Sequence, residues 1–331
     1  MKRVLSGIQP SGKLHWGNYL GAIKQYIELQ ADHDCFYFIA NYHALTTVQD
    51  ADRMRELTRD VALDCLALGL DPERAKLFRQ SDVPEVAELT WILASVTGKG
   101  LLDRAHAFKA KVAEGLSPSL GLYFYPVLMA ADILIYRSHL VPVGQDQVQH
   151  IEMAQDMAGY FNGTYHTDVL VRPESKLNNA PTAPGIDGRK MSKSYGNTIE
   201  LFAPAKQTRK RIMSIVTDST PVEAPKDPNA CNVMALLRLV ADETEVAEWE
   251  QRYRAGGMGY GEAKKRLAEL FEQTFGPARE RRAELERDPD TVEDVLVTCG
   301  RAARAVAQEV MEGVRAACGI VTGGRSGEER H

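Results

Sequence analysis

The chain has 331 residues, 26% of them charged and 44% hydrophobic, which suits a soluble globular protein with a full core and room for two domains. A net charge of −5 argues against broad, nonspecific coating of nucleic acid but leaves room for a local basic surface. The five dispersed cysteines form no CxxC pair, and neither an apolar leader nor a membrane-length apolar run is present, so we expect no protein-bound metal and a cytoplasmic protein.

In chain order, Val4 to Ser6 reads as a short buried strand that enters a turn containing Gly7, Gly12 and Gly17. Glycine lets backbone approach a bulky ligand closely. A helix from about His15 to Leu29 follows, and its first N–H groups and positive dipole end suit a triphosphate, with His15 and Asn18 as additional donors. Residues 35–40 are aromatic and β-branched and predict a second strand; a helix at 51–68 and a strand at 76–79 complete a βαβαβ pattern. This pattern predicts a parallel sheet with its ligand site at the carboxyl ends of the strands.

Residues 84–115 read as a helical insertion, followed by a helix over 122–137 and a strand at 140–143. On the second helix Tyr125, Met129, Asp132 and Tyr136 share one stripe, placing a single carboxylate on an apolar, aromatic face. Burying Asp132 unpaired is costly, so it calls for a donor: a ligand N–H, or in the plainer reading Arg137 or a nearby histidine. Gly144-Gln145-Asp146-Gln147 follows the strand directly, placing Asp146 in the first turn of a helix, where it either accepts from ribose hydroxyls or caps the helix. Residues 177–195 read as a mobile loop whose Lys190 and Lys193 can follow phosphate charge. Beyond Pro204 the pattern is helical, with breaks at 218–230 and 255–261 and a polar tail at 323–331 expected to be disordered. Lys206, Arg209, Lys210 and Arg211 form a basic cluster that fits phosphate contacts or a solvated helix face.

Two segments, residues 10–18 (PSGKLHWGN) and 190–194 (KMSKS), resemble the HIGH and KMSKS signatures of class I aminoacyl-tRNA synthetases. With residues 6–12 (SGIQPSG), 125–134 (YPVLMAADIL) and 141–147 (VPVGQDQ), the chain resembles the bacterial-type tryptophanyl-tRNA synthetases over essentially its whole length. The resemblance implies an α/β class, with a Rossmann-like catalytic domain at 1–203 and a helical anticodon-binding domain at 204–322. It implies activation of L-tryptophan with ATP and transfer to tRNA(Trp), with Mg2+ accompanying ATP and a homodimer as the working form. By the same resemblance Asp132 accepts the indole N–H, with Met129, His43, Val141, Gly7 and Leu5 lining the pocket and Tyr125, Gln147 and Gln9 holding the α-amino and carboxylate groups. ATP would be held by Gln9, Pro10, Ser11, Gly17, Asn18, Gly144, Gln145, Asp146 and the loop Lys190, Met191, Ser192, Lys193 and Ser194. Lys111, Lys190, Lys193 and His15 would act on the phosphates.

Three residues depart from that pattern: Leu5 where an aromatic often walls the pocket, Gln145 for a common glutamate, and Tyr195 for the aspartate that often follows KMSKS. A pocket that satisfies a buried carboxylate with a ligand donor can reject a substrate lacking that donor by ~10⁴ or more, so no editing domain is expected. The rival readings are a tyrosyl-tRNA synthetase, which shares both signatures, and a non-charging paralogue with a regulatory or partner-binding role.

Overall fold

The computed structural model describes residues 1–104, 119–177 and 182–320, apart from the Asp146 side chain. Lys111, the expected insertion beyond residue 104 and the 323–331 tail lie outside the described residues. Chain order begins β1 (Arg3–Ile8), α1 (Trp16–Asn18), a π-helical turn (Tyr19–Ile23), α2 (Lys24–Leu29), β2 (Asp34–Ile39), α3 (Asn41–Ala44), α4 (Ala51–Ala67) and β3 (Ala75–Arg79). It continues α5 (Glu85–Val96), α6 (Lys99–Asp103), α7 (Leu120–Leu134), β4 (Leu140–Val143), α8 (Val148–Tyr165) and β5 (Glu174–Leu177). The helical region comprises α9 (Ala205–Met213), α10 (Asn232–Leu237), α11 (Glu243–Ala255), α12 (Tyr260–Arg287) and α13 (Pro289–Cys318).

The strands form one parallel sheet in the order β3-β2-β1-β4-β5. Strand order reverses between β1 and β4, which opens a crevice beyond their carboxyl ends, the usual ligand position in such sheets. Period-two alternation sorts the β1 and β2 side chains between two cores. Val4, Cys35, Tyr37 and Ile39 pack with α4 and α12, whereas Leu5, Phe36 and Phe38 pack with α5, α7 and α13.

Sequence expectation and structure differ at three elements. The 15–29 helix contains the π-helical turn at Tyr19–Ile23, a widening that brings Gly21, Ala22 and Gln25 to the crevice wall. The 122–137 helix stops at Leu134, where Arg137 takes a left-handed backbone with φ of 49°. Tyr136 consequently leaves the predicted stripe and is buried against Phe36 and Phe78. The expected loop is preceded by an additional edge strand, β5, paired with β4.

The helical region shares the core of the sheet. Trp16 at the start of α1 packs edge-on against Phe271 at 5.2 Å and Phe275 at 6.1 Å, both on α12. Helix α13 packs against edge strand β3, where Arg79 pairs with Glu293 at 2.8 Å, so that edge is covered.

Candidate active site

The crevice between β1, β4 and α7 holds a cavity of ≈ 460 Å³. Leu5 and Gly7 reach it from β1 and Gln9 from just beyond; His43 comes from α3, and Tyr125, Met129 and Asp132 from α7. Val141 on β4, with Gly144 and Gln147 in the following turn, closes the opposite side. The residues expected from sequence to bind the amino acid are therefore brought together around one cavity. Gln145 is exposed in the 3-10 turn Gln145–Gln147 that precedes α8.

Asp132 lies at the buried end of this cavity, 2% exposed. Burial pushes its carboxyl pKa up, while hydrogen bonds from His43 and Gln80 pull it back part of the way. His43 Nε2 is 2.8 Å from Asp132 Oδ2, and Gln80 Nε2 donates to Oδ1 at 2.8 Å and Oδ2 at 2.9 Å. The carboxylate is thus partnered within the protein, by the nearby histidine of the plainer reading and by Gln80, so a ligand N–H would be an additional donor. Oδ1 takes one of these bonds and Oδ2 two, and a carboxylate offers about four acceptor positions, so Oδ1 has room for a further donor. Arg137, the other partner considered, reaches Glu309 instead. Gln80 was not singled out from sequence, because only the fold brings it to Asp132. Its Oε1 accepts the N–H groups of Tyr42 at 3.0 Å and His43 at 3.3 Å, so one buried amide sets both the carboxylate and the α3 turn.

Tyr125 spans two roles: its ring lines the cavity and its hydroxyl lies 2.9 Å from His150 Nε2. Burial raises the Tyr125 hydroxyl to about 12, so it stays protonated across the physiological range.

Beside this cavity the two signature segments are joined. Trp16 N–H donates to the Ile199 carbonyl at 2.9 Å and Leu201 N–H to the Leu14 carbonyl at 3.1 Å, around the bridge between His15 and Glu200. Lys193 Nζ donates to the Gly12 carbonyl at 2.9 Å and approaches Ser11 Oγ at 3.5 Å, and Met191 is buried next to Gly17. Desolvation lowers the Lys193 pKa against the opposing attraction of Asp64 and Glu200. Pro10, Ser11, Gly17, Asn18, Lys190, Ser192 and Ser194 belong to this lip and do not line the cavity, which divides the predicted residues between the cavity and its rim.

His15 has a structural task in addition to the one expected. Its Nδ1 accepts the Asn18 N–H at 3.3 Å while Asn18 Oδ1 accepts the His15 N–H at 3.2 Å, a reciprocal cap on α1. Burial, reinforced by the Lys193 charge, lowers the ring pKa to about 4. The imidazole is therefore neutral at physiological pH, with Nδ1 accepting and the proton on Nε2.

The lysine loop owes its shape to Asn197, a second residue missed from sequence. This side chain, 2% exposed, accepts the Ser192 N–H at 2.8 Å and donates to Asp187 Oδ1 at 2.8 Å and to the Lys190 carbonyl at 3.1 Å. Arg211, from the basic cluster on α9, donates to the Thr198 carbonyl at 3.0 Å and to the Gly196 carbonyl, so it anchors the loop's exit. Tyr195 projects outward with the Arg189 guanidinium stacked 4.4 Å from its ring centre. Among the described residues, no group of three or more His, Cys, Asp or Glu could hold a metal ion, and no helix is long and apolar enough to cross a membrane.

Comparison with known proteins agrees with this geometry. Residues 1–276 match the family model for class I tRNA synthetases (W and Y). A tryptophan–tRNA ligase of Rhodopirellula baltica is 56% identical over 319 residues, covering 96% of this chain and 99% of that protein. A crystal structure of the Campylobacter jejuni tryptophanyl-tRNA synthetase, complexed with ADP and tryptophan, superposes with a TM-score of 0.92 at 47% identity, covering 96% of this chain and 99% of that one. The Mycoplasma pneumoniae tryptophanyl-tRNA synthetase superposes with a TM-score of 0.81 at 30% identity, covering 96% and 98%.

Proposed function

The chain belongs to the class I tRNA synthetases that handle tryptophan and tyrosine, and from its site we infer that it is a tryptophan–tRNA ligase, an ATP-dependent enzyme that activates L-tryptophan. The observation that carries this reading is the buried Asp132 carboxylate, oriented by Gln80 and His43 at a cavity of ≈ 460 Å³ whose lining includes Leu5, Phe38, Met129 and Val141. A tyrosine-specific reading is not favoured, since relatives at 47–56% identity, matched over nearly their whole length, are tryptophan–tRNA ligases.

We propose that the indole N–H donates to Asp132 Oδ1 while Met129, Val141, Gly7 and Leu5 enclose the ring. Gln9, Tyr125 and Gln147 then face the α-amino and carboxylate groups near the cavity mouth. A carboxylate oxygen of tryptophan attacks the α-phosphorus of ATP, the bond to the β-phosphate oxygen breaks, and pyrophosphate leaves with its electron pair. A ribose hydroxyl of the terminal adenosine of tRNA(Trp) then attacks the acyl carbon and AMP departs. No protein nucleophile is needed; the acceleration comes from holding the reactants in line and from placing positive charge where the leaving phosphates gather it. The Trp16 and Asn18 N–H groups expected to meet a triphosphate are instead bonded to Ile199 and His15, so neutral His15, Lys190 and Lys193 are assigned that task along the rim, and we assign Lys111 and Asp146 to the same nucleotide site on the family resemblance. Magnesium enters as the counter-ion of ATP and neutralises phosphate charge; it is part of the substrate.

The helical segment 204–322 is assigned to anticodon reading, with the basic residues Lys206, Arg209 and Lys210 on α9 available to tRNA phosphates. The working form is assigned as a homodimer, because Trp91 on α5 and Leu120 at the start of α7 are 74% and 86% exposed, large apolar groups that a second copy would cover. We place the activity in the cytoplasm, with its tRNA substrate. Amino-acid-dependent pyrophosphate exchange tests the reading: tryptophan should support exchange at least 100-fold better than tyrosine, and equal rates or a preference for tyrosine would refute it.

A further inference from the structure

Leu5 leaves the β1 side of the ring pocket without an aromatic group, and the structure shows what occupies the space. In the parallel β1–β2 ladder Leu5 pairs with Phe36 and Gly7 with Phe38, so the period of two turns all four toward α7. Phe36 is consumed by the core, stacked on Tyr136 at 5.2 Å. Phe38 instead lines the cavity, 6% exposed, together with Leu5, Ala40 and Met129. Its ring leans across the neighbouring strand onto Gly7, where a Cβ would fall 2.5 Å from Cζ and 2.8 Å from Cε2. A side chain at position 7 would force that ring out of its seat. Phe78 on β3 backs it, with ring centres 6.3 Å apart and planes tilted by 37°.

We propose that Phe38, seated on Gly7, is the specificity-determining aromatic wall of the amino-acid site, and that Leu5 is small because Phe38 has taken the volume an aromatic side chain at position 5 would need. The inference rests on the tryptophan reading above. It assigns ring selection to β2 as well as to α7: Asp132 reads the N–H, while Phe38 and Leu5 jointly fix the width of the slot. A ring in this wall offers the indole an edge or a face at little entropic cost, since Phe has only two side-chain torsions.

A double-substitution cycle tests it by tryptophan-dependent pyrophosphate exchange, with the KM for ATP as the internal control. Phe38→Ala should raise the tryptophan KM roughly tenfold or more, in line with the effect of removing packed groups from an apolar specificity pocket, and leave the ATP KM within about twofold. Leu5→Phe alone should also impair tryptophan use, by crowding Phe38, whereas Leu5→Phe in the Phe38→Ala background should restore most of the lost affinity. That sign reversal is the signature of a shared volume. A tryptophan KM within twofold of the parent in Phe38→Ala, or additive losses in the double variant, would overturn the proposal. If Phe38→Ala does not fold, Phe38→Leu, which keeps apolar bulk without the ring, decides by the same criteria. Absence of tryptophan-dependent exchange in the parent enzyme would instead refute the assigned function, so the two failures are distinguishable.

Discussion

Gln80 and His43 hold the Asp132 carboxylate in a fixed plane, so a ligand donor adds to a settled group and does not rescue an orphaned one. That changes the magnitude of selectivity expected from this residue. The increment is one hydrogen bond to a charged acceptor, about 1.5–3 kcal/mol, and not the full penalty of stranding a buried carboxylate. Asp132→Ala should therefore raise the tryptophan KM by roughly 10- to 150-fold with little change in the ATP KM, and narrow the preference for tryptophan over phenylalanine. Exchange kinetics with both amino acids measure this, and an unchanged tryptophan KM together with an unchanged preference would remove Asp132 from the recognition scheme. Asp132 was legible in the sequence because a lone carboxylate on an apolar helical stripe is chemically conspicuous. Gln80, Phe38 and Asn197 were not, since an isolated glutamine, phenylalanine or asparagine carries no pattern until the fold brings it to a partner distant in sequence. Tyr136 was misplaced for the converse reason: periodicity extends the helix to 137, past its end at Leu134, so Tyr136 falls beyond it.

At the scale of elements, the strands that alternate or run apolar were readable, and so were the helices with clear caps, such as α4 with Asp50 accepting the Arg53 N–H. Strand β5 was missed because Glu174-Ser175-Lys176-Leu177 lies at the sheet edge with mostly exposed side chains, leaving no burial pattern to detect. The π-helical turn at Tyr19–Ile23 has no compositional mark either. Contacts between remote elements were equally silent, and one of them is the ion cluster joining α4 to α12. Arg282 donates to Asp64 at 2.5 Å and to Asp60 at 2.6 Å and also pairs with Glu286. Asp64 in turn receives a backbone hydrogen bond from Leu14, just before the His15 cap, and burial raises its pKa to about 6 against the pull of Arg282. Removing one member of a buried pair strands the other. Arg282→Ala should consequently destabilise the protein by about 3 kcal/mol in urea unfolding; a loss below about 1 kcal/mol would show that the cluster behaves as an ordinary surface pair.

Across the whole molecule, the sheet places the Asp132 cavity and the rim of the two signature loops at one switch point, and the helical region is packed into the same core through Trp16, Phe271 and Phe275. The ordering of glycine loop, ring-selecting helix and lysine loop along the chain was visible in sequence, as was the parallel sheet. That residues 14–16 pair with residues 199–201, just beyond the lysine loop, was not, because neither segment has strand character alone. This continuity links the crevice assigned to adenylate formation to a helical surface assigned to tRNA. Charging of purified tRNA(Trp) tests the central claim most directly, because it requires ATP, tryptophan and tRNA to be used together. The enzyme should attach tryptophan to this tRNA and leave tRNA(Tyr) uncharged with either amino acid. Adenylate formation without any transfer to tRNA(Trp), or charging of tRNA(Tyr) with tyrosine, would contradict it.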